Sequence, residues 1–512
     1  MNTENDHPET LPLLQQVAQF FSAHNRPAFL VGGSVRDLLL HIPCTDWDIA
    51  TDGDTPRLAR ELADTVGGYY AYMNNKACRI TIKHGQTTEP AGTTGMIETV
   101  LDIAPLHGGS IEADLRLRDF TLNAIAVPLS DLVAHLAAGT PLPLIDPLHG
   151  ADDLRAQRLR AVSDTTFQQD PLRMLRAVRF MQRYQLTLEQ QSEAMLVRDA
   201  PLLFRVAPER IHDEFYAILA PVGGTERLRF LDSHGLFTAL FPEFAPARGM
   251  PQPELHHWDV LEHSLESVGS LERLVAILQE SPAARTPLAS AIPGDLAEIR
   301  ELLKEAKRQG IFRFDSALSA PMKLAALLHD IGKTTTYAAD DEGHTHFYGH
   351  PQAGIPLAQQ VMRRLSASTH DRRIVQQIVA HHMRPGQLSH DTVTPRAIRR
   401  YFVDLGPMGI NVALVSLADH LAMRGPEPLG TAWERHLATV QLLLNAYIRE
   451  RERILPPRML QPDELMHRLN IAPGPLVGRL LEQIAEAQAE GNIHSKEEAL
   501  WLAEERLAQS DT

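Results

Sequence analysis

The sequence predicts an α+β fold: a β-sheet head complete by about residue 130, then an all-α neck, a second helical domain and a helical tail. Three observations carry this. Short apolar runs of strand character, Ala28–Val31, Trp47–Ala50 and Thr99–Ala104, alternate with helical patterns only in the early part of the chain. From about 151 to 240 strand signals vanish and helical patterns follow one another. Residues 255–425 are helical in pattern and hold 12 of the 24 histidines.

Each element has a local reason. Leu11, Leu13, Leu14, Val17 and Phe20 fall at helical spacing and predict a helix over 11–24, ended by Pro27. The Ala28–Val31 run is followed by Gly32-Gly33, a turn into a helix from Val35 to Leu40. A helix over Thr55–Val66 separates the second and third strands. In the neck, Pro171–Tyr184 and Pro208–Leu219 read as helices, and Pro246, Gly249, Pro251 and Pro253 mark a boundary. Gly425–Pro428 and Pro456-Pro457 precede a last helical unit over 460–510.

Composition bounds the rest. The 512 residues suggest three or four domains, and 44% apolar with 22% charged residues is ordinary globular composition. No apolar run approaches the ~20 residues that span a bilayer, and Met1–Thr10 is polar with no apolar segment behind it. Two cysteines, Cys44 and Cys78, exclude a disulfide scaffold or a cysteine-based zinc site. No membrane association and a cytoplasmic location are therefore expected. The net charge of −15 argues against nonspecific coating of nucleic acid. Within 151–187, however, seven arginines face four aspartates, a local net of +3.

Two constellations carry chemistry. Gly32 and Gly33, between a strand and a helix, allow close backbone approach to a phosphate, and Arg36 adds charge. Asp46 and Asp48 lie two apart on a strand and so share a face; carboxylates at that spacing suit Mg²⁺ held together with substrate phosphates. Asp102 is a third acid within an apolar strand, a set that fits two-metal phosphoryl or nucleotidyl transfer. Further along, His263, His329-Asp330 and Asp419 lie on three apolar helical segments. They form a mixed nitrogen and oxygen set for a divalent transition metal, and His350 and His382 extend it to a second ion. A metal-bound hydroxide attacking a phosphate is the chemistry such a set supplies.

These motifs carry a resemblance. Leu30 to Asp37, the Asp46/Asp48 pair, Arg118 to Ala124, Asp170 to Phe180 and Pro208 to Ile211 occur in order over roughly 26–220. The chain thereby resembles the class II tRNA nucleotidyltransferase and bacterial poly(A) polymerase family. His263, His329-Asp330 and Asp419 resemble the HD phosphohydrolase superfamily.

The resemblance implies a nucleotidyltransferase head over 11–130, a nucleotide- and RNA-binding neck over 131–245, an HD domain over 255–425 and a tRNA-contacting tail over 440–510. It implies two Mg²⁺ ions on Asp46 and Asp48, with Asp102 as third carboxylate. Gly32, Gly33 and Arg36 would cradle the triphosphate, and Asp119 and Asn123 would contact the sugar. Asp170 and Arg173 would read the base of CTP or ATP from one helix face, and Arg118, Arg176 and Arg179 complete the nucleotide-binding set.

Three departures from the family pattern matter. Gln169 stands where Glu is usual, and Leu117-Arg118 where Arg-Arg is usual, with Arg116 as the alternative cation. The segment Pro105–Arg116 is short, and no Lys or Arg precedes Arg116 in it. Family members that complete the terminal A usually carry a longer basic loop there. The expectation is template-independent addition of C to the 3′ end of tRNA, with a separate A-adding enzyme completing the end. Full CCA addition, poly(A) synthesis and a nucleotide-sensing HD phosphohydrolase are the alternatives.

Overall fold

The structure is a computed structural model that describes residues 10–73, 75–88, 94–280, 296–390, 392–425, 427 and 429–510. The chain forms two compact units, Met1–Val206 and Ala207–Thr512. The division falls inside the segment expected as a neck, 131–245. The N-terminal residues before 10 and part of the Gly425–Pro428 boundary lie outside the described residues.

The first unit is built on a six-stranded sheet: β1 Ala28–Val31, β2 Asp46–Thr51, β3 Tyr69–Tyr72, β4 Cys78–Thr88, β5 Thr94–Pro105 and β6 Ala126–Pro128. Its order is β3-β4-β5-β2-β1-β6, and β2 and β5 are its parallel pair. Alternation decides the faces. Trp47 and Ile49 of β2 are buried with Ile80, Leu101 and Ile103 under the helices Thr10–Ala23 and Thr55–Val66. Asp46 and Asp48 therefore take the opposite face, beside Asp102, which is the direct register partner of Asp48.

The three strands read from sequence are present. β3, β4 and β6 are additions: Tyr69 and Tyr72 are exposed at the sheet edge, so β3 has no buried stripe to betray it. The stretch expected to be free of strands also holds a short parallel pair, β7 Arg158–Leu159 and β8 Thr187–Leu188. Two residues per strand leave no periodicity to detect. Asp153 is fully buried beside this pair, where it accepts from Thr121 Oγ1 (2.7 Å), Arg158 Nε (2.7 Å) and Arg160 Nε (2.8 Å).

The second unit is almost entirely helical. The helix Val260–Leu278 packs against Met408–Met423 and Ala320–Leu328; His263 and Asp419 lie on the first two, and His329-Asp330 directly follow the third. Thr431–Arg449 follows, and then a tail of three helices, Pro462–Leu469, Pro475–Glu490 and Lys496–Ser510. The tail has its own apolar cluster around Leu465, Leu480, Ile484 and Ala499. No single described helix is long and apolar enough to cross a membrane.

Lys323 is the most demanding residue of this unit. Its side chain is fully buried, pairs with Glu272 at 2.7 Å, and donates to the carbonyls of Leu219, Ala220 and Pro221 at the end of the helix Pro208–Leu219. A cation there satisfies carbonyls that the helix leaves open. Lys323→Met would leave Glu272 buried without its partner. It should destabilise the unit by about 3–5 kcal/mol, read from chemical denaturation monitored by circular dichroism.

Candidate active site and metal centre

In the head, the Gly-Gly turn, Asp48 and Arg118 converge. Gly32 adopts φ 69°, and a Cβ there would lie 2.7 Å from Arg118 Nη1 and 3.6 Å from Asp48 Oδ2. Only glycine lets the guanidinium lie across the turn. Gly33 stands as close to Asp48, with a Cβ position 3.7 Å from Oδ2. Ser34 ties turn and strand together: its Oγ donates to the Asp46 carbonyl (2.9 Å) and accepts from the Asp48 N–H (2.8 Å). Arg118 is oriented by Asp114 through Nη2 at 2.9 Å.

Asp46 is exposed, whereas Asp48 is partly buried. Burial, reinforced by the neighbouring Asp102 charge, pushes the Asp48 carboxyl up to about 6; Arg118 and Ser34 act in the other direction. Asp102 is not free to join the pair directly. Its two oxygens accept from Arg79 Nε (2.8 Å) and Nη2 (2.7 Å). The donor set of carboxylates beside an arginine and a glycine turn fits hard divalent cations together with phosphate.

The other expected nucleotide-binding residues form a second, largely buried layer. Arg36 is only 5% exposed; it donates to Asp37 and to Asn123 Oδ1 (2.7 Å), and its guanidinium lies over the Tyr184 ring at 4.3 Å. Asp119 is buried and accepts from Asn123 Nδ2 (2.9 Å), from the Phe120 N–H (2.8 Å) and from Arg176 Nε and Nη2 (2.9 and 2.8 Å). Burial pushes its carboxyl up, but Arg176 and Asn123 outweigh this and hold it below the usual range. Arg36, Asn123, Asp119 and Arg176 thus form one chain of contacts, and Arg179 covers the Phe180 ring at 4.8 Å.

One geometric expectation needs correction. Asp170 and Arg173 do not share a helix face, because Asp170 is extended (φ −146°, ψ 99°) and lies before the helix Leu172–Tyr184. Pro171 is the cause, since a proline disfavours helical geometry in the residue before it. The Asp170 carboxylate accepts from the Leu172 N–H, while Arg173 Nη2 donates to the Leu117 carbonyl at 2.9 Å.

The second unit assembles all six expected ligands. His263, His329, Asp330 and Asp419 bring one ligand atom each within 4.8 Å of one another, and Asp330, His350 and His382 do the same. Asp330 divides its oxygens. Oδ2 faces His329 (3.3 Å) and His263 (3.4 Å), and Oδ1 faces His350 (3.1 Å) and His382 (3.4 Å). The backbone fixes the donors: Nδ1 of His329, His350 and His382 contacts the carbonyls of Ala326, Phe347 and Val379, turning each Nε2 inward. Gly332 lets the His-Asp turn pack on the next helix, where a Cβ would collide with the His350 carbonyl oxygen. Imidazole nitrogens and carboxylates facing one another in a buried cluster fit divalent transition metals.

Burial alone would lower the His329 ring, but Asp330 and Asp419 outweigh it and raise it to about 10. Burial likewise opposes the charge of Asp330, which His329 and Lys333 nevertheless hold well below the usual carboxylate range. Lys333 and its partner Gln252 were not expected from sequence: Lys333 Nζ lies 2.5 Å from Asp330 and donates to Gln252 Oε1 at 2.7 Å. His256, half-buried with its ring 5.8 Å from that of His263, is a further addition. The run Asp330-Ile331-Gly332-Lys333 placed Lys333 near the site, but nothing local pointed to Gln252 or His256.

Two outcomes follow from this geometry. Gly32→Ala should displace Arg118 and depress nucleotide addition while leaving far-UV circular dichroism unchanged. In the metal-free protein, the raised His329 contributes stability that is present below its ordinary value of 6.5 and lost as pH rises towards about 10. A metal needs the neutral ring. Metal uptake near pH 7 should therefore release protons, measured calorimetrically in buffers of different ionisation enthalpy.

Three family models match the chain. Residues 28–160 match the poly A polymerase head domain, 185–248 the probable RNA and SrmB-binding site of polymerase A, and 298–424 the HD domain. An A-adding tRNA nucleotidyltransferase of Deinococcus radiodurans is 32% identical, covering 92% of this chain and 94% of that protein. A CC-adding tRNA nucleotidyltransferase of Thermus thermophilus is 30% identical, covering 93% and 92%. The fold is similar to that of a Thermotoga maritima CCA-adding enzyme solved in complex with tRNA (TM-score 0.59, 20% identity, 98% and 97% covered). It is also similar to a CCA-adding enzyme solved with ATP (TM-score 0.62, 20% identity, 99% and 95% covered). A glycine turn beside paired carboxylates, an HD cluster and this full-length similarity place the chain in the family of tRNA nucleotidyltransferases, enzymes that extend tRNA ends with release of pyrophosphate.

Proposed function

We propose that this chain adds C residues to the 3′ end of tRNA from CTP and incorporates the terminal A poorly, leaving that step to a separate A-adding enzyme. The observation that supports it is the short connection between β5 and Arg118. Leu106 N–H bonds to the Thr51 carbonyl (2.8 Å), His107 N–H to Asp114 (3.1 Å), and Ser110 caps the helix Ile111–Leu115. This segment offers no cation before Arg116 with which to reshape the base site. Arg173, the residue proposed to read the base with Asp170, is tethered to the carbonyls of Leu117 and Arg118 directly behind it. A tethered reader favours one nucleotide over a switch between two.

In this reading Asp46 and Asp48 hold two Mg²⁺ ions, and Gly32, Gly33 and Arg118 receive the triphosphate. When bound, such ions favour ionisation of the attacking 3′-hydroxyl and offset charge on the leaving pyrophosphate. Arg36, Asn123, Asp119 and Arg176 act one layer back by holding the glycine turn to the helix Leu172–Tyr184. The experiment is addition to tRNA lacking CCA and to tRNA ending in CC, with each labelled nucleotide in turn. Two C residues on the first substrate and little A on the second are expected. Rapid A addition to tRNA ending in CC would overturn the CC assignment. Asp46→Ala or Asp48→Ala should abolish addition with the fold intact, and near wild-type rates would remove the metal assignment.

A second activity is favoured by the divided Asp330 carboxylate, which serves both ligand groups of the HD cluster. The cluster is proposed to bind divalent transition metal and to hydrolyse phosphoesters. Asp330→Ala with His329→Ala should remove bound transition metal, measured by elemental analysis, and any phosphoesterase activity, while nucleotide addition persists.

A further inference from the structure

Across β4, β5 and β2, Arg79, Asp102 and Asp48 are direct neighbours in register. Side chains aligned in this way share one face of a sheet, and Asp46, two residues from Asp48, joins them there. Three carboxylates on one face repel, the more so where Asp48 is partly buried. Arg79 is the cation within this row. It meets Asp102 with two parallel N–H donors, the strongest geometry open to an arginine and a carboxylate. Asp46 and Asp48 also favour its charge, although neither bonds to it. On the far side its neighbour is Ala71 of β3, which makes no claim on the guanidinium. With its side chain 44% exposed, Arg79 has room to withdraw without unpacking the core beneath the sheet.

We infer that Arg79 is the resident counter-ion of this acidic row, a positioning residue that fixes the Asp102 carboxylate and offsets its charge until a divalent cation takes over. The inference rests on the reading of Asp46 and Asp48 as a metal pair. A guanidinium and a metal ion compete for the same carboxylate oxygens, so the contact that steadies the metal-free site also opposes metal binding at Asp102. Loss of Arg79 therefore has two opposite effects: a less stable metal-free row and a stronger hold on Mg²⁺.

The test uses the full-length chain freed of metal by chelation, with hydrogen–deuterium exchange followed in peptides covering residues 46–51 and 98–105. This readout is confined to the head and is not confused by metal at the HD cluster. In the wild type, Mg²⁺ should slow exchange in these peptides. In Arg79→Ala, metal-free exchange should be faster than wild type, Mg²⁺ should restore protection, and half-maximal protection should need less Mg²⁺. Arg79→Lys, which keeps the charge but not the two parallel donors, should fall between wild type and Arg79→Ala. Adding Asp102→Asn to Arg79→Ala should bring metal-free exchange back towards wild type, because the charge that needed an offset is gone. Faster exchange in Arg79→Ala that Mg²⁺ does not reverse would reduce Arg79 to a structural contact and overturn the inference. So would a Mg²⁺ dependence identical to wild type. No Mg²⁺ effect in the wild type would overturn the metal reading of the head and this inference with it.

Discussion

The buried Asp119 carboxylate holds the head in working order. It joins the turn that carries Arg118 to the helix Leu172–Tyr184 through Arg176, and it reaches the Gly-Gly helix through Asn123 and Arg36. A buried ion of this kind contributes little net stability when fully paired, but leaving it half-paired is costly. Its value lies in specifying one arrangement. Arg36, Asn123 and Arg176 are each oriented by a neighbour that is itself oriented, so the glycine turn and the neck helix hold a fixed relation inside the first unit.

Much of this was legible in the sequence. The spacing of Asp46 and Asp48 put both on one face of a strand, and the structure agrees, with Trp47 and Ile49 buried on the other face. His263, His329-Asp330 and Asp419 were recognisable because polar residues inside apolar helices need a partner. Less legible were features set by non-local register. Arg79 meets Asp102 only because β4 pairs with β5, and β4 was not apparent beforehand. Arg36 reads as a surface cation in a phosphate turn, yet Phe180 and Tyr184, far away in sequence, cover it. Asp170 is the opposite case: the local rule at Pro171 overrode the helical spacing that paired it with Arg173.

The second unit shows how a helical scaffold brings distant ligands together. His329, His350 and His382 are each aimed by the carbonyl three residues back in the chain, so the direction of these three donors is set by the backbone. Lys333, with one contact to Asp330 and another to Gln252, supplies positive charge where two carboxylates and several imidazoles meet.

The shared Asp330 carboxylate gives this cluster a further property. Its Oδ2 faces one group of ligands and its Oδ1 the other, so the two positions draw on a single negative charge. An ion held at the first position would withdraw electron density from the oxygen that the second depends on, and would repel a second cation. Two ions bound there would not be independent of one another. Loading should proceed in two steps of unequal strength, so that a singly loaded form prevails over a broad range of metal concentration and the doubly loaded form is reached only where metal is abundant.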